Sequence, residues 1–263
     1  MRPIRIPGAA VVLALVALAC AGCSKHDEPS KLAPASSSAR PGSGALGTVP
    51  TSTATVPPST GGCPSPGAPG TLQVSTATGD ADGDGTRDTV TVFGTGTADD
   101  PAPYRVRVAL GDGHGAAETA ITDAEPGAGQ QVRALGVAIG LVFVQVGSGA
   151  SAGVVGMFVL DGCDLARVTA PGSQAPAKFA IGGTVTSLSG LRCEPVSGKG
   201  GARLEVLNAT SDDGVTYTTS EQSLRVEQHA FVADGPPATG TLQATDAALQ
   251  SFAILACPGV QSP

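Results

Sequence analysis

Leu141-Val142-Phe143-Val144-Gln145-Val146-Gly147-Ser148-Gly149-Ala150-Ser151-Ala152-Gly153-Val154-Val155-Gly156-Met157-Phe158-Val159-Leu160 is the stretch that decides how this chain is read. Its first six residues are almost continuously apolar and rich in valine. A run that short is strand length rather than helix length, so Leu141–Val146 predicts a strand buried on both faces. Gly147 to Gly153 is small, polar and glycine-rich, which predicts a turn. Val154–Leu160 then resumes the apolar run and predicts a second strand.

Working outward, the same rhythm continues in both directions. Short apolar or β-branched runs stand at Leu72–Thr76, Thr89–Phe93, Tyr104–Leu110, Glu118–Thr122, Leu165–Thr169, Gly183–Ser187, Arg203–Asn208, Val215–Ser220 and Ser223–Val232, separated by Gly, Pro and Asp. Tyr104-Arg105-Val106-Arg107-Val108 alternates with period two, as a half-buried strand does. Asp212-Asp213-Gly214 is a strong turn signal. Only Asp246–Ala253 reads as helical, with Thr245 or Asp246 available as its cap. These signals predict an all-β domain: a sandwich or partial-propeller-like arrangement of antiparallel sheets, with at most one short C-terminal helix.

The N-terminus reads as an export signal. Arg2 and Arg5 are followed by Ala9 to Ala19, all Ala, Val or Leu, and then by Ala21-Gly22 before Cys23. The apolar run is shorter than the roughly 20 residues that a bilayer core of about 30 Å requires. Cys20-Ala21-Gly22-Cys23 resembles the lipobox of bacterial lipoproteins, although Cys20 stands where that motif usually has Leu. The resemblance implies cleavage after residue 22 and a diacylglycerol on Cys23, hence a lipid anchor at the outer face of the cell membrane. Cys20, after Ala17-Leu18-Ala19, is the other candidate. Ser24 to Gly62 is dense in Ser, Thr, Pro, Gly and Ala. It holds too little apolar surface to offset its ordering entropy and predicts a disordered tether, with an end-to-end distance of roughly 35 Å. The expected organisation is therefore signal peptide 1–22, lipidated Cys23 and tether 23–62, and an extracytoplasmic β domain 63–263.

Composition narrows the function classes. The formal net charge is −7, which argues against a nucleic-acid partner because phosphate backbones are repelled. The chain has no Trp, and Tyr104 and Tyr217 are its only tyrosines. Aromatic platforms for sugars or bases are correspondingly scarce. Abundant Ala, Gly, Pro, Val and Thr with few Lys suggests a GC-rich genome, of the actinobacterial type. Cys63, Cys163, Cys193 and Cys257 remain in the domain, and an even number in an oxidising compartment reads as two disulfides. Three pairings are possible. Proximity favours Cys163 with Cys193, leaving Cys63 with Cys257 to clasp the two ends. No two of these cysteines have Cys-x-x-Cys spacing, which argues against zinc or redox chemistry.

One loop carries clear chemistry. Gly79 to Val90 reads Gly-Asp-Ala-Asp-Gly-Asp-Gly-Thr-Arg-Asp-Thr-Val. Asp80, Asp82, Asp84 and Asp88 fall at positions one, three, five and nine, Gly85 at six permits a sharp turn, and Thr86 at seven offers a carbonyl. Calcium, a hard cation that takes six to eight oxygens, suits such a set. An EF-hand would need Glu at position twelve, between helices. Here that position is Thr91, between strands. The loop resembles the FG-GAP or VCBS repeat, a strand–loop–strand calcium motif of integrin-type propellers and bacterial surface proteins. The resemblance implies the ligands Asp80, Asp82, Asp84, the Thr86 carbonyl and Asp88, and an ion with a structural role. A weaker echo at Leu135 to Gly149 lacks carboxylates: Gly136-Val137-Ala138-Ile139-Gly140 stands where an aspartate loop would be.

The competing class is a serine hydrolase. Gly149-Ala150-Ser151-Ala152-Gly153 matches the Gly-x-Ser-x-Gly elbow, with Asp212 or Asp213 and then His229 following in hydrolase order. In a chain with 37 glycines so loose a pattern arises readily by chance, and the elbow needs a helix where Val154–Leu160 predicts a strand. His26, His114 and His229 are isolated, and His229 reads as the outward face of a strand. Asn208-Ala209-Thr210 reads as a strand end. The sequence thus points to a non-enzymatic lipoprotein, an envelope-binding or accessory module whose partner is an unidentified envelope protein or ligand.

Overall fold

The computed structural model describes residues 62–64, 66–111, 113–126, 131–195 and 202–263. The export signal, Cys23 and the tether through residue 61 lie outside the described residues. All described residues belong to one unit, Val56–Pro263. Strands β1 (Leu72–Gly79), β2 (Asp88–Gly94), β3 (Tyr104–Ala109) and β4 (Ala116–Ile121) form a four-stranded antiparallel meander. A larger sheet follows, built from β5 (Arg133–Ala138), β6 (Leu141–Ser148), β7 (Ala152–Asp161), β8 (Asp164–Arg167), β9 (Lys178–Thr184), β10 (Ser187–Pro195), β11 (Ala202–Thr210), β12 (Thr216–Glu227), β13 (Ala230–Ala233), β14 (Ala238–Gln243) and β15 (Leu255–Ala256). Its path runs β13-β12-β11-β10-β9-β7-β6-β5, with β8, β14 and β15 pairing on β7, β12 and β10. The all-β expectation holds: the described residues form two antiparallel sheets and one short helix.

The β6 strand shows why its run lacks polar residues. Every residue from Leu141 to Gly147 is buried. Val142, Val144 and Val146 pack into a core shared with the small sheet, against Val90, Val92, Val106 and Val108. Leu141 and Phe143 point the other way, into a second core with Leu191, Leu204, Leu224 and Phe231. The large sheet therefore curls so that β10–β13 come back over β5–β7. Cutting Phe143, fully buried in this second core, to Ala removes about 3–5 kcal/mol.

Two long strands each have one edge divided between two partners. The first half of β7 pairs with β9 (Ala152↔Gly182 to Gly156↔Lys178) and the second half with β8 (Phe158↔Arg167 to Asp161↔Asp164). In the same way β12 pairs with β14 through Thr216–Glu221 and with β13 through Leu224–Glu227. The β5–β9 and β10–β14 segments thus repeat one topology: two strands, a long strand, a tight hairpin, and a return to the long strand's first half.

Several sequence expectations are corrected. Gly183–Ser187 is not a strand: Val185-Thr186 is the turn between β9 and β10. Gly182 and Gly183 there have φ of 118° and 147°, and a Cβ on Gly183 would stand 2.0 Å from the Ser187 carbonyl oxygen. Val215–Ser220 and Ser223–Val232 are not two strands, because β12 runs unbroken to Glu227. Gly136–Ala138 belongs to β5. The helix at Ala247–Ala253 is 3₁₀, and Asp246 occupies its N-cap without a side-chain cap bond. Arg107, on the polar side of the Tyr104–Val108 alternation, is buried as well. Its guanidinium donates to Glu118 and lies 5.6 Å from the Phe93 ring centroid, which satisfies its charge.

The favoured disulfide pairing is also corrected. Cys63 bonds Cys163 and Cys193 bonds Cys257, with Cα separations of 5.3 and 4.8 Å. Pairing in the sheet decides the second bridge. β15 lies parallel to β10 with Arg192 opposite Ala256, so Cys257 falls beside Cys193. The first bridge forms because Cys163 sits in the β7–β8 turn, while the Cys63 amide is held by the His114 carbonyl in the β3–β4 connection.

Candidate metal centre

The aspartate loop connects β1 to β2. The strands on either side pair tightly up to its mouth, with Gly79 opposite Asp88. Gly83 and Gly85, with φ of 79° and 89°, supply the two left-handed turns that curl the loop. The curl lets the carboxylates accept the loop's own amides. Asp80 Oδ1 accepts from Gly83 N at 2.7 Å and its Oδ2 from Gly85 N at 3.0 Å. Asp82 Oδ1 accepts from Asp84 N at 3.1 Å, and Asp84 Oδ1 from Thr86 N at 2.6 Å.

Asp88 is different in kind. It is 1% exposed. Its Oδ2 accepts from Ala81 N at 2.7 Å and its Oδ1 from Gly111 N at 3.0 Å. One buried carboxylate therefore ties the loop's start to the β3–β4 connection. A charge taken out of water needs such partners, because an uncompensated one is strongly penalised. Gly111 itself admits no side chain: a Cβ there would stand 2.1 Å from the Arg87 carbonyl oxygen. Sequence reasoning did not find Gly111 or Ala81, since backbone donors carry no residue signal.

Asp80, Asp82 and Asp88 each bring one carboxylate oxygen within 4.8 Å of the others. Each oxygen has two lone pairs, so accepting one amide leaves capacity for a cation. Asp84 and Thr86 lie in the same loop but outside this group of three. Burial raises the Asp82 carboxyl above the usual carboxylate range, partly opposed by the Asp84 amide, and the charges of Asp88, Asp84 and Asp80 add to the rise. The loop is thus a concentration of negative charge that a hard divalent cation would neutralise.

The residues of the hydrolase reading are not brought together. Ser151 precedes β7, and Asp161 ends it. His229 Nε2 lies 3.1 Å from Asp161 Oδ2. Ten residues at about 3.3 Å each put Ser151 and His229 roughly 30 Å apart. Asp212 and Asp213 precede β12, whereas His229 follows it. Asp213 Oδ1 instead accepts from Ser211, Val215 and Thr216, bonds that hold its carboxyl below the usual range. His229 is not on a strand face: it turns the chain from β12 to β13 with φ of 65°.

No protein family, curated protein or solved structure matches this chain. Among the described residues no helix is long and apolar enough to cross a membrane.

Proposed function

We propose that the chain is a lipid-anchored, extracytoplasmic binding module, without catalytic chemistry, whose β domain is stabilised by a calcium ion in the Asp80–Asp88 loop. The observation that carries the calcium reading is the convergence of Asp80, Asp82 and Asp88 oxygens in one strand-connecting loop, with Asp88 buried. The FG-GAP or VCBS-like spacing of residues 80 to 88 supports the same ion, with Asp84 and the Thr86 carbonyl as further oxygen ligands. The anchor reading rests on Arg2, Arg5, the Ala9–Ala19 run and Cys23. Two disulfides in the described domain fit an oxidising compartment.

Calorimetric titration of the mature chain with calcium tests the metal. One saturable site is expected, in the range of about 10⁻⁴–10⁻³ M found for extracellular modules. Asp82→Ala should abolish it, and magnesium should substitute poorly because it demands tighter octahedral geometry. No heat of binding in millimolar calcium would overturn the metal reading. Palmitate labelling that persists in Cys23→Ser would move or remove the anchor.

A further inference from the structure

Two outer edges of the large sheet are covered. Along β5 runs the C-terminal segment, where Gln261 donates its amide to the Leu135 carbonyl at 2.8 Å. Beside β13 stands Thr169, which donates to the His229 carbonyl at 2.9 Å and accepts from the Phe231 amide at 3.0 Å. The outer edge of β14 is bare: among the described residues no strand pairs with it. The repeated topology shows what such a position takes. β9 stands on β7 as β14 stands on β12, and the outer edge of β9 carries β10 antiparallel, from Thr184↔Ser187 to Gly182↔Ser189.

The bare edge is regular. β14 pairs with β12 from Ala238 to Gln243 without a break in register. The Ala244 amide donates to the Val215 carbonyl, so Ala244 faces β12. By the alternation of an antiparallel ladder, Gln243, Thr241 and Thr239 then turn their backbone groups away from β12. Asp246 engages those of Gln243, its Oδ2 accepting the amide and its own amide donating to the carbonyl. Thr239 and Thr241 keep theirs for an incoming strand. Edge strands are ordinarily blunted by Lys, an internal Pro, a bulge or an inward charge. Ala238–Gln243 has none of these.

Charge decides the kind of strand. Thr241 and Gln243 lie opposite Thr218 and Thr216, on the solvent face. On that face is a cavity of about 300 Å³ lined by Thr210, Ser211, Asp212, Asp213, Thr216 and Thr218. Asp212 has no hydrogen bond or ion pair among the described residues. The segments that build this end, 184–189, 207–219 and 238–254, contain no Lys, Arg or His. Towards the start of β14 the acids are matched, Glu221 by Arg192 and Asp234 by Arg203 and Arg225. Neighbouring strands lie about 4.8 Å apart, so a strand added to β14 stands roughly 10 Å from β12. From there a long cationic side chain reaches over Thr241 towards the unmatched carboxylates. A second copy of this chain, with its formal net charge of −7, would bring further acid against them.

We propose that the free edge of β14 binds an extended basic peptide segment as an added antiparallel strand, its backbone on Thr239 and Thr241 and a Lys or Arg side chain at the Asp212–Asp213 cavity. In strand addition the main chain supplies affinity and alternate side chains supply specificity. The proposal rests on the reading of the domain as a binding module and is independent of the anchor and the calcium loop. The test follows the fluorescence anisotropy of a labelled decapeptide of alternating Lys and Thr, titrated with the mature chain at low ionic strength. Saturable binding is expected, weakened at least tenfold when Glu replaces Lys, and also when a central Pro interrupts the peptide at unchanged charge. Thr241→Pro removes an outward amide without touching the β12 ladder, and should weaken binding at least tenfold with little change in melting temperature. Asp212→Lys lies outside the ladder and should do the same, which decides the matter if Thr241→Pro fails to fold. No saturable binding by the wild type, equal binding of the Pro-interrupted peptide, or undiminished binding in either folded variant would each overturn the proposal. A dimer in sedimentation that Thr241→Pro dissolves would assign the edge to a second copy and overturn it as well.

Discussion

Asp88→Ala separates the structural and metal-binding roles within the loop. The substitution leaves the Ala81 and Gly111 amides without their acceptor in a buried setting. Each unmet buried amide costs about 1–3 kcal/mol. Partial water entry at Gly111 reduces its share, and loss of one negative charge relieves Asp82, so a net of about 3 kcal/mol is expected. For a domain of this size that is roughly 6–12 °C in melting temperature. The loss should appear fully in EDTA, because it involves no ion. Asp82→Ala should behave in the opposite way. Its single amide bond is solvent-exposed, and its removal takes one of four crowded carboxylates out of the loop. In EDTA its melting temperature should equal or exceed that of the wild type. Asp88→Asn should fall between, since its one carbonyl oxygen can serve only one of the two amides. The assay is thermal and urea unfolding of all four proteins in EDTA. If Asp88→Ala melts within about one degree of wild type, the buried carboxylate does not hold the loop and the reasoning fails.

Further outcomes follow from other parts of the molecule. Mass mapping of the unreduced chain should recover Cys63–Cys163 and Cys193–Cys257. Replacing the second pair by Ser should cost about 4 kcal/mol on the loop-entropy model for a separation of 64 residues. Recovery of a Cys163–Cys193 peptide would refute the sheet pairing that places them. Burial alone would raise the Glu118 carboxyl, but hydrogen bonds and charge from Arg107 and Arg105 outweigh it and hold the group low. A carboxyl lowered on folding contributes stability above its unfolded value of about 4.3 and loses it as pH falls toward the folded value. Glu118→Gln should therefore lower stability at neutral pH and flatten the loss between about pH 5 and pH 3. An unchanged pH profile in that variant would show that the Arg105–Glu118–Arg107 cluster is energetically idle. A fluorophosphonate probe should not label Ser151, which stands far from His229. Labelling that vanishes in Ser151→Ala would revive the hydrolase reading.

The legible parts of the fold are those where a strand's pattern reflects its own neighbours. Leu141–Val146 is buried on both faces, and an unbroken apolar run says so. Asp80 to Asp88 announces a curled loop because its glycines and carboxylates are local. The β10 strand escaped because Gly190 interrupts it. That glycine is needed where the 3₁₀ helix crosses, since a Cβ would stand 2.8 Å from the Ser251 and Ile254 carbonyl oxygens. The β5 strand escaped for a similar reason. Its register shifts around Leu135 and Gly136, where the C-terminal segment presses the Gly259 carbonyl against the backbone. The cysteine pairing depends on β15 adding in parallel to β10, a non-local event that spacing cannot reveal. In the sequence Ile139 reads as part of an aspartate-loop echo without carboxylates, because nothing there marks a two-residue turn built on isoleucine.

Whether an ion in the Asp80–Asp88 loop stabilises this domain is decided by melting the mature chain in EDTA and in excess calcium. A ligand held only by the folded state adds RT ln(1 + [L]/Kd), about 2.7 kcal/mol at a hundredfold excess over Kd, or roughly 5–10 °C here. A rise of that size with calcium, absent in Asp82→Ala, is the predicted result. Identical melting temperatures in EDTA and in several millimolar calcium would reduce the loop to an acidic turn.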